Sequence, residues 1–111
     1  MASFEQGDVV RVPFPYTNRP TRQARPALVV SKDNAEEGFS LLWVVMITSA
    51  ENRGWPDDVL IADLAGTGLP VASVIRPAKI ATLEVADVSR LGRVPENVRK
   101  AVIQAIEKRL S

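Results

Sequence analysis

The chain of 111 residues contains neither cysteine nor histidine. The first absence excludes disulfides, thiolate catalysis and zinc sites built on cysteine, and it permits an intracellular location. The second removes the usual general base at neutral pH together with the commonest metal ligand. Chemistry is left to arginine, lysine, carboxylates, hydroxyls and Tyr16. No apolar run approaches the ~20 residues needed to span a bilayer, and the opening MASFEQGDVV lacks the basic and apolar regions of a secretory signal. The expected location is the cytoplasm, away from any membrane. The net charge of +1 is too small for bulk attraction to a polyanion, so such a ligand requires the positive charges to be gathered on one face.

What is present is an ordinary globular composition, 46% hydrophobic and 24% charged, with no repeat, low-complexity tract or linker. It predicts a single domain over residues 1–111. A chain of this size buries roughly two thirds of its unfolded surface, enough to fold without disulfides or metal, and a dimer would add to that.

The apolar segments are short and separated by Gly, Pro and Asn clusters, which predicts strands over 8–14, 27–31, 41–47, 59–62, 73–76 and 79–83. In GDVVRVPF, Val10, Val12 and Phe14 alternate with Val9, Arg11 and Pro13, a pattern for one buried face, and Pro13 marks an edge or a strand end. ALVV and LLWVVMI are continuous apolar runs, the pattern of strands covered on both faces. Their β-branched content favours strand over helix. In the tail PENVRKAVIQAIEKRL, Val98, Val102, Ala105, Ile106 and Leu110 recur at helical spacing behind Pro95, with Glu96 near the start and Lys108 and Arg109 near the end. A shorter helical turn is expected over 85–90. The fold class is therefore mainly β with helices, a small SH3-like β-barrel closed by a C-terminal α-helix.

Three stretches carry candidate chemistry. In RPTRQARPALVVS, Arg19 and Arg22 fall in an expected exposed loop, where they read equally well as solvated charges. Arg25 stands at the entry to a core strand, and Pro26 pushes it towards an extended conformation. A guanidinium fixed at a strand end suits paired hydrogen bonds to a phosphate. In MITSA, Thr48 and Ser49 end an apolar strand, where hydroxyls either cap the turn or address a ligand shared with Arg25. In SVIRPAKIATLE, Arg76, Lys79 and Thr82 are interspersed with apolar residues, and simple outward-facing polarity accounts for Lys79. Of the two tryptophans, Trp43 reads as packing within its apolar run. Trp55, in the polar RGWPDD loop, reads as either a stacking residue or a loop anchor.

In order along the chain, GDVVRVPFPYT, RPALVVS, MITS, SVIRPAKIATLE and LGRVPENVRKAVIQAIEKRL resemble the MazF/PemK family of growth-inhibiting toxins, and the resemblance covers almost the whole chain. It implies a plasmid-maintenance-toxin fold, a homodimer, and metal-independent endoribonuclease cleavage of single-stranded RNA without a cofactor. In that reaction the 2′-hydroxyl attacks phosphorus and a cyclic 2′,3′-phosphate forms. The resemblance also implies a cognate antitoxin whose acidic disordered segment competes for the RNA groove. Arg25 falls on the family's R-P arginine and Thr48 on the threonine of I-T-S, the expected catalytic pair. Arg76 falls on a second functional arginine of some PemK-like members, and with Arg19, Arg22 and Ser49 it forms the expected phosphate-contacting set; no metal ligands are expected. The chain departs from the family where many members read D-Q-x-R-T. Here Ala78, Lys79, Ile80, Ala81 and Thr82 stand instead, so the family's acidic residue has no counterpart and the general base is unassigned. The alternative is a non-catalytic relative that keeps the barrel as a nucleic-acid or protein-binding module.

Overall fold

The computed structural model describes residues 4–14, 23–32 and 41–110. Arg19, Arg22 and Tyr16 lie outside the described residues. Six strands, β1 (Asp8–Phe14), β2 (Gln23–Val29), β3 (Leu41–Ser49), β4 (Val59–Ile61), β5 (Ser73–Glu84) and β6 (Ser89–Arg93), precede one helix, α1 (Glu96–Leu110). The strands form one antiparallel sheet in the order β4-β5-β3-β2-β1-β6, curled into a half-barrel. This is the mainly β architecture with a C-terminal helix that the sequence predicts.

The curl leaves both faces of the central strands covered, and side-chain alternation separates them into two cores. Val9 of β1, Leu28 of β2, Val45 and Ile47 of β3 and Ile75 of β5 face a first core, which α1 closes with Val102 and the half-buried Val98, Ile103 and Ile106. Val10 and Val12, Ala27 and Val29, and Leu42 and Val44 face a second core, capped by Phe4 and by Leu83, Val85 and Val88. The continuous apolar runs thus mean what they predict. Val9, expected on the polar side of β1, is fully buried, because that strand too is covered on both faces.

Several expectations are corrected. The two segments 73–76 and 79–83 are one strand. The register against β3 jumps from Val45 opposite Ile80 to Met46 opposite Arg76, so Pro77, Ala78 and Lys79 form a bulge that bends β5 without ending it. The expected helical turn over 85–90 is a single 3₁₀ turn at Val85–Asp87, and β6 follows it. Strand β2 begins at Gln23, which makes Arg25 an interior strand residue. Trp43, expected to pack, is 53% exposed, and Leu110 lies on the open end of α1.

Pro13 sits beyond the last β6 partner of β1, where its missing N–H costs nothing on that side. Asp8, only 2% exposed, accepts from the guanidiniums of Arg90 and Arg93 and from the Glu5 backbone N–H, tying the start of β1 to β6. Gly92 of β6 lies against the backbone of Gly66 and Thr67, where a Cβ would come within 2.4 Å of the Gly66 carbonyl oxygen. Only glycine admits that approach.

Candidate active site

Arg25 and Thr48 enter the sheet by different strands and meet through its register. β2 and β3 pair as Ala27 with Met46, Leu28 with Val45 and Val29 with Val44. Continuing that antiparallel register two residues beyond Ala27 sets Arg25 across from Thr48. On its other side Arg25 pairs with Val12 of β1, and Thr48 pairs with Val74 of β5. Val12 with Arg25, and Thr48 with Val74, are thus paired across their own ladders on the face opposite α1, and the continued register would join them in one row. Directly opposed residues have Cβ atoms ~5 Å apart, close enough for a guanidinium and a hydroxyl to address one phosphate. The next row on the same face is Val10, Ala27, Met46 and Arg76.

This arrangement explains the charge at the mouth of an apolar strand. Val10, Val12, Ala27 and Val29 belong to the second core, and Arg25 continues their face outward as a half-buried residue at the core's rim. The aliphatic stem covers apolar surface, and the guanidinium Nε is itself buried. Thr48 is buried, and its Oγ1 accepts a hydrogen bond from Asn52 Nδ2 at 2.9 Å. A hydroxyl has one hydrogen and two acceptor sites, so with Asn52 on one acceptor site the Thr48 hydrogen is available to a ligand oxygen.

Ser49 and Arg76 have other tasks. Ser49 follows Thr48 and so points to the opposite face of the strand. Its Oγ accepts from the Glu51 N–H and caps the 3₁₀ turn Ala50–Asn52. Arg76 is only 6% exposed. Its guanidinium donates to both carboxylate oxygens of Asp58, at 3.2 and 3.0 Å, and to the carbonyl oxygen of Asn52 at 2.7 Å. The Trp55 ring centroid lies 4.3 Å from its Cζ. Arg76, expected to contact phosphate, holds the segment 50–58 onto the sheet through these bonds.

That segment is where sequence reasoning missed residues. Asp58 also accepts from the backbone N–H groups of Gly54 and Trp55. Burial pushes its carboxyl up, but the Arg76 hydrogen bonds and charge and the two backbone donors outweigh this, so its pKa lies below the usual 3.8. Asp57, at φ +67°, pairs with Lys108 and Arg109 at the end of α1. The sequence shows the two carboxylates of RGWPDD, but the arginine partner of Asp58 lies 18 residues further on and is invisible without the fold. Ala78 lies in the β5 bulge. Among the described residues no group of His, Cys, Asp or Glu is placed to hold a metal ion, and no helix is long and apolar enough to cross a membrane.

Solved structures share this fold. The backbone superposes on MazF in a MazE-MazF complex from Deinococcus radiodurans, with a TM-score of 0.76, 23% identity, and 100% of this chain and 98% of that one covered. A second form of that complex gives 0.72 and 26% over 99% and 98%. An endoribonuclease in complex with its cognate antitoxin, from a mycobacterial species, gives 0.71 and 22% over 99% and 95%. No curated protein sequence matches the chain. The sequence model of the PemK-like, MazF-like toxins of type II toxin-antitoxin systems, however, matches residues 5–111. With the half-barrel, its terminal helix and that match in agreement, the chain belongs to the PemK/MazF family and is a toxin of a type II toxin-antitoxin system.

Proposed function

We propose that this toxin is an endoribonuclease that cuts single-stranded messenger RNA without a metal ion. The reading is supported by the β2–β3 register, which, continued two residues beyond Ala27, sets Arg25 across from Thr48 on the face opposite α1. In the reaction the ribose 2′-hydroxyl loses its proton as its oxygen bonds to the adjacent phosphorus. The bond from phosphorus to the 5′-oxygen then breaks, and that oxygen takes up a proton. The products are a cyclic 2′,3′-phosphate and a 5′-hydroxyl end.

Arg25 stabilises the charge that builds on the phosphorane oxygens. A guanidinium is suited to donate hydrogen bonds to phosphate oxygens and not to act as a base. A preorganised donor of this kind contributes on the order of 3 kcal/mol to lowering the barrier. Thr48, held from one side by Asn52, donates its hydroxyl hydrogen to a phosphate oxygen and fixes the scissile group. Arg19 and Arg22 guide the strand towards this pair. Inhibition follows from an antitoxin whose acidic, disordered segment occupies the same basic groove, since such a segment wraps a large surface while competing for the same arginines. The active species is a homodimer.

The test is incubation of the purified protein with long single-stranded RNA in the presence of a chelator, with the fragment ends mapped. Cleavage leaving cyclic phosphate ends, lost in Arg25→Ala, is the expected result. A folded protein that cuts no faster than its Arg25→Ala variant would overturn the enzyme reading. RNA binding without cleavage would then favour the binding-module alternative, to which Ala78, standing where many relatives carry an acid, already points.

A further inference from the structure

Trp55 is the residue in this region that the proposed chemistry leaves unused. It lies in the turn joining the Ala50–Asn52 helical turn to β4, and its ring rests on the Arg76 guanidinium with the Lys79 ammonium 5.5 Å from the ring centroid. The support under the ring is rigid. Asp58 fixes the guanidinium through two hydrogen bonds, and the same carboxylate receives the Trp55 backbone N–H. A tryptophan serving only as a loop anchor would be expected to bury its ring, yet Trp55 is 44% exposed. A half-exposed indole beside a lysine ammonium is the form that stacking sites for single-stranded nucleic acid take, because every base offers a π-face and the backbone phosphates seek the positive charge.

Its position relative to the Arg25 and Thr48 row gives the ring a purpose. Asn52 bonds Thr48 through its side chain and Arg76 through its backbone carbonyl. Arg76 pairs with Met46, two residues from Thr48 on the same strand face, which is about 7 Å along a strand. We propose that Trp55 is a nucleobase-stacking platform that holds the base of a nucleotide flanking the scissile phosphate, and thereby sets the register in which RNA meets Arg25 and Thr48. The proposal rests on the RNA reading above.

The experiment uses the full chain with Trp43→Phe, so that Trp55 is its single tryptophan. The ligand is a short RNA pool of randomised sequence, fully 2′-O-methylated and therefore without a nucleophile. Inorganic polyphosphate serves as a polyanion without bases. The pool quenches Trp55 emission and polyphosphate does not. Trp55→Leu, whose side chain still lies over Arg76 but has no π-face, weakens binding of the pool about 10-fold and leaves polyphosphate affinity unchanged. Trp55→Phe recovers most of the loss. On cleavable RNA, Trp55→Leu also broadens base preference at one position beside the cut. Equal affinity of parent and Trp55→Leu for the pool overturns the platform, as does a parallel loss for pool and polyphosphate, which marks collapse of the turn. Retained RNA affinity with lost affinity for an acidic peptide also overturns it, assigning the ring to a protein partner. In those cases a parent that still binds or cuts RNA keeps the proposed function standing. A parent that neither binds the pool nor cuts RNA removes that function and the platform with it.

Discussion

Arg25 and Arg76 lie in neighbouring rows on one face of one sheet, and their surroundings divide their work. Arg76 has a carboxylate, a backbone carbonyl and an indole arranged about it, and its charge is spent inside the protein. Arg25 sits at the rim of an apolar core, paired with Val12 across the β1–β2 ladder. The proposed roles of Arg25 and Thr48 separate by substitution. Arg25→Lys retains the charge but not the planar fork, so cleavage is expected to fall nearly as far as in Arg25→Ala, about 100-fold or more. Thr48→Val keeps the shape and loses the hydroxyl, whereas Thr48→Ser keeps the hydroxyl. Single-turnover cleavage should therefore fall steeply in Thr48→Val and mildly in Thr48→Ser, with both variants melting close to the parent. Equal rates in the two variants would mean that the hydroxyl does not touch the reacting phosphate.

The segment 50–58 shows how one buried ion pair organises an element that has no regular structure of its own. Removing one partner of such a pair leaves a charge buried and unmatched, so Asp58→Asn is expected to cost about 3 kcal/mol at neutral pH. The pH dependence follows from the depressed pKa of Asp58. Its contribution is complete above the unfolded value, near 3.8, and is lost as pH falls through the lower folded value. The melting-temperature gap between parent and Asp58→Asn should stay constant at higher pH and close as the solution is taken well below pH 3.8. A gap that persists there would show that the carboxylate's charge is not what holds the turn. None of this was legible in RGWPDD, because the partner is set by sheet register and not by spacing. What local pattern could show, it did: the apolar runs of β1 and β3, and the helical period of α1. It failed where another effect governs. β6, SRLGR, has no apolar run, because it is an edge strand held by its pairing to β1 and by a glycine packed against backbone. β5 read as two strands because Pro77 interrupts it, whereas the bulge accommodates the proline. Arg25 and Thr48 were each legible as strand-end groups, and only the register brings them onto one row.

At the scale of the molecule, the half-barrel is closed unevenly. α1 packs against β4 and β5, but its cover does not bury every side chain on that face of β3 and β5. There Trp43 and Ile80 lie diagonally across the β3–β5 pairing, on the side that α1 covers elsewhere, and are 53% and 51% exposed. A tryptophan inside an apolar run was expected to be packed, and in the single chain it is not. Burying a large apolar side chain is worth about 2 kcal/mol, so two such groups repeated on two subunits supply a substantial part of what a stable contact needs. The proposed homodimer accounts for their exposure if this patch lies in the subunit contact. Sedimentation at micromolar concentration should then find twice the 12.1 kDa chain mass, and the double variant Trp43→Ser, Ile80→Ser should sediment as a monomer while retaining its strand and helix signature by circular dichroism. A parent that sediments as a monomer contradicts the dimer. A double variant that remains dimeric places the contact elsewhere on the molecule and leaves the exposure of Trp43 to be explained by a different partner.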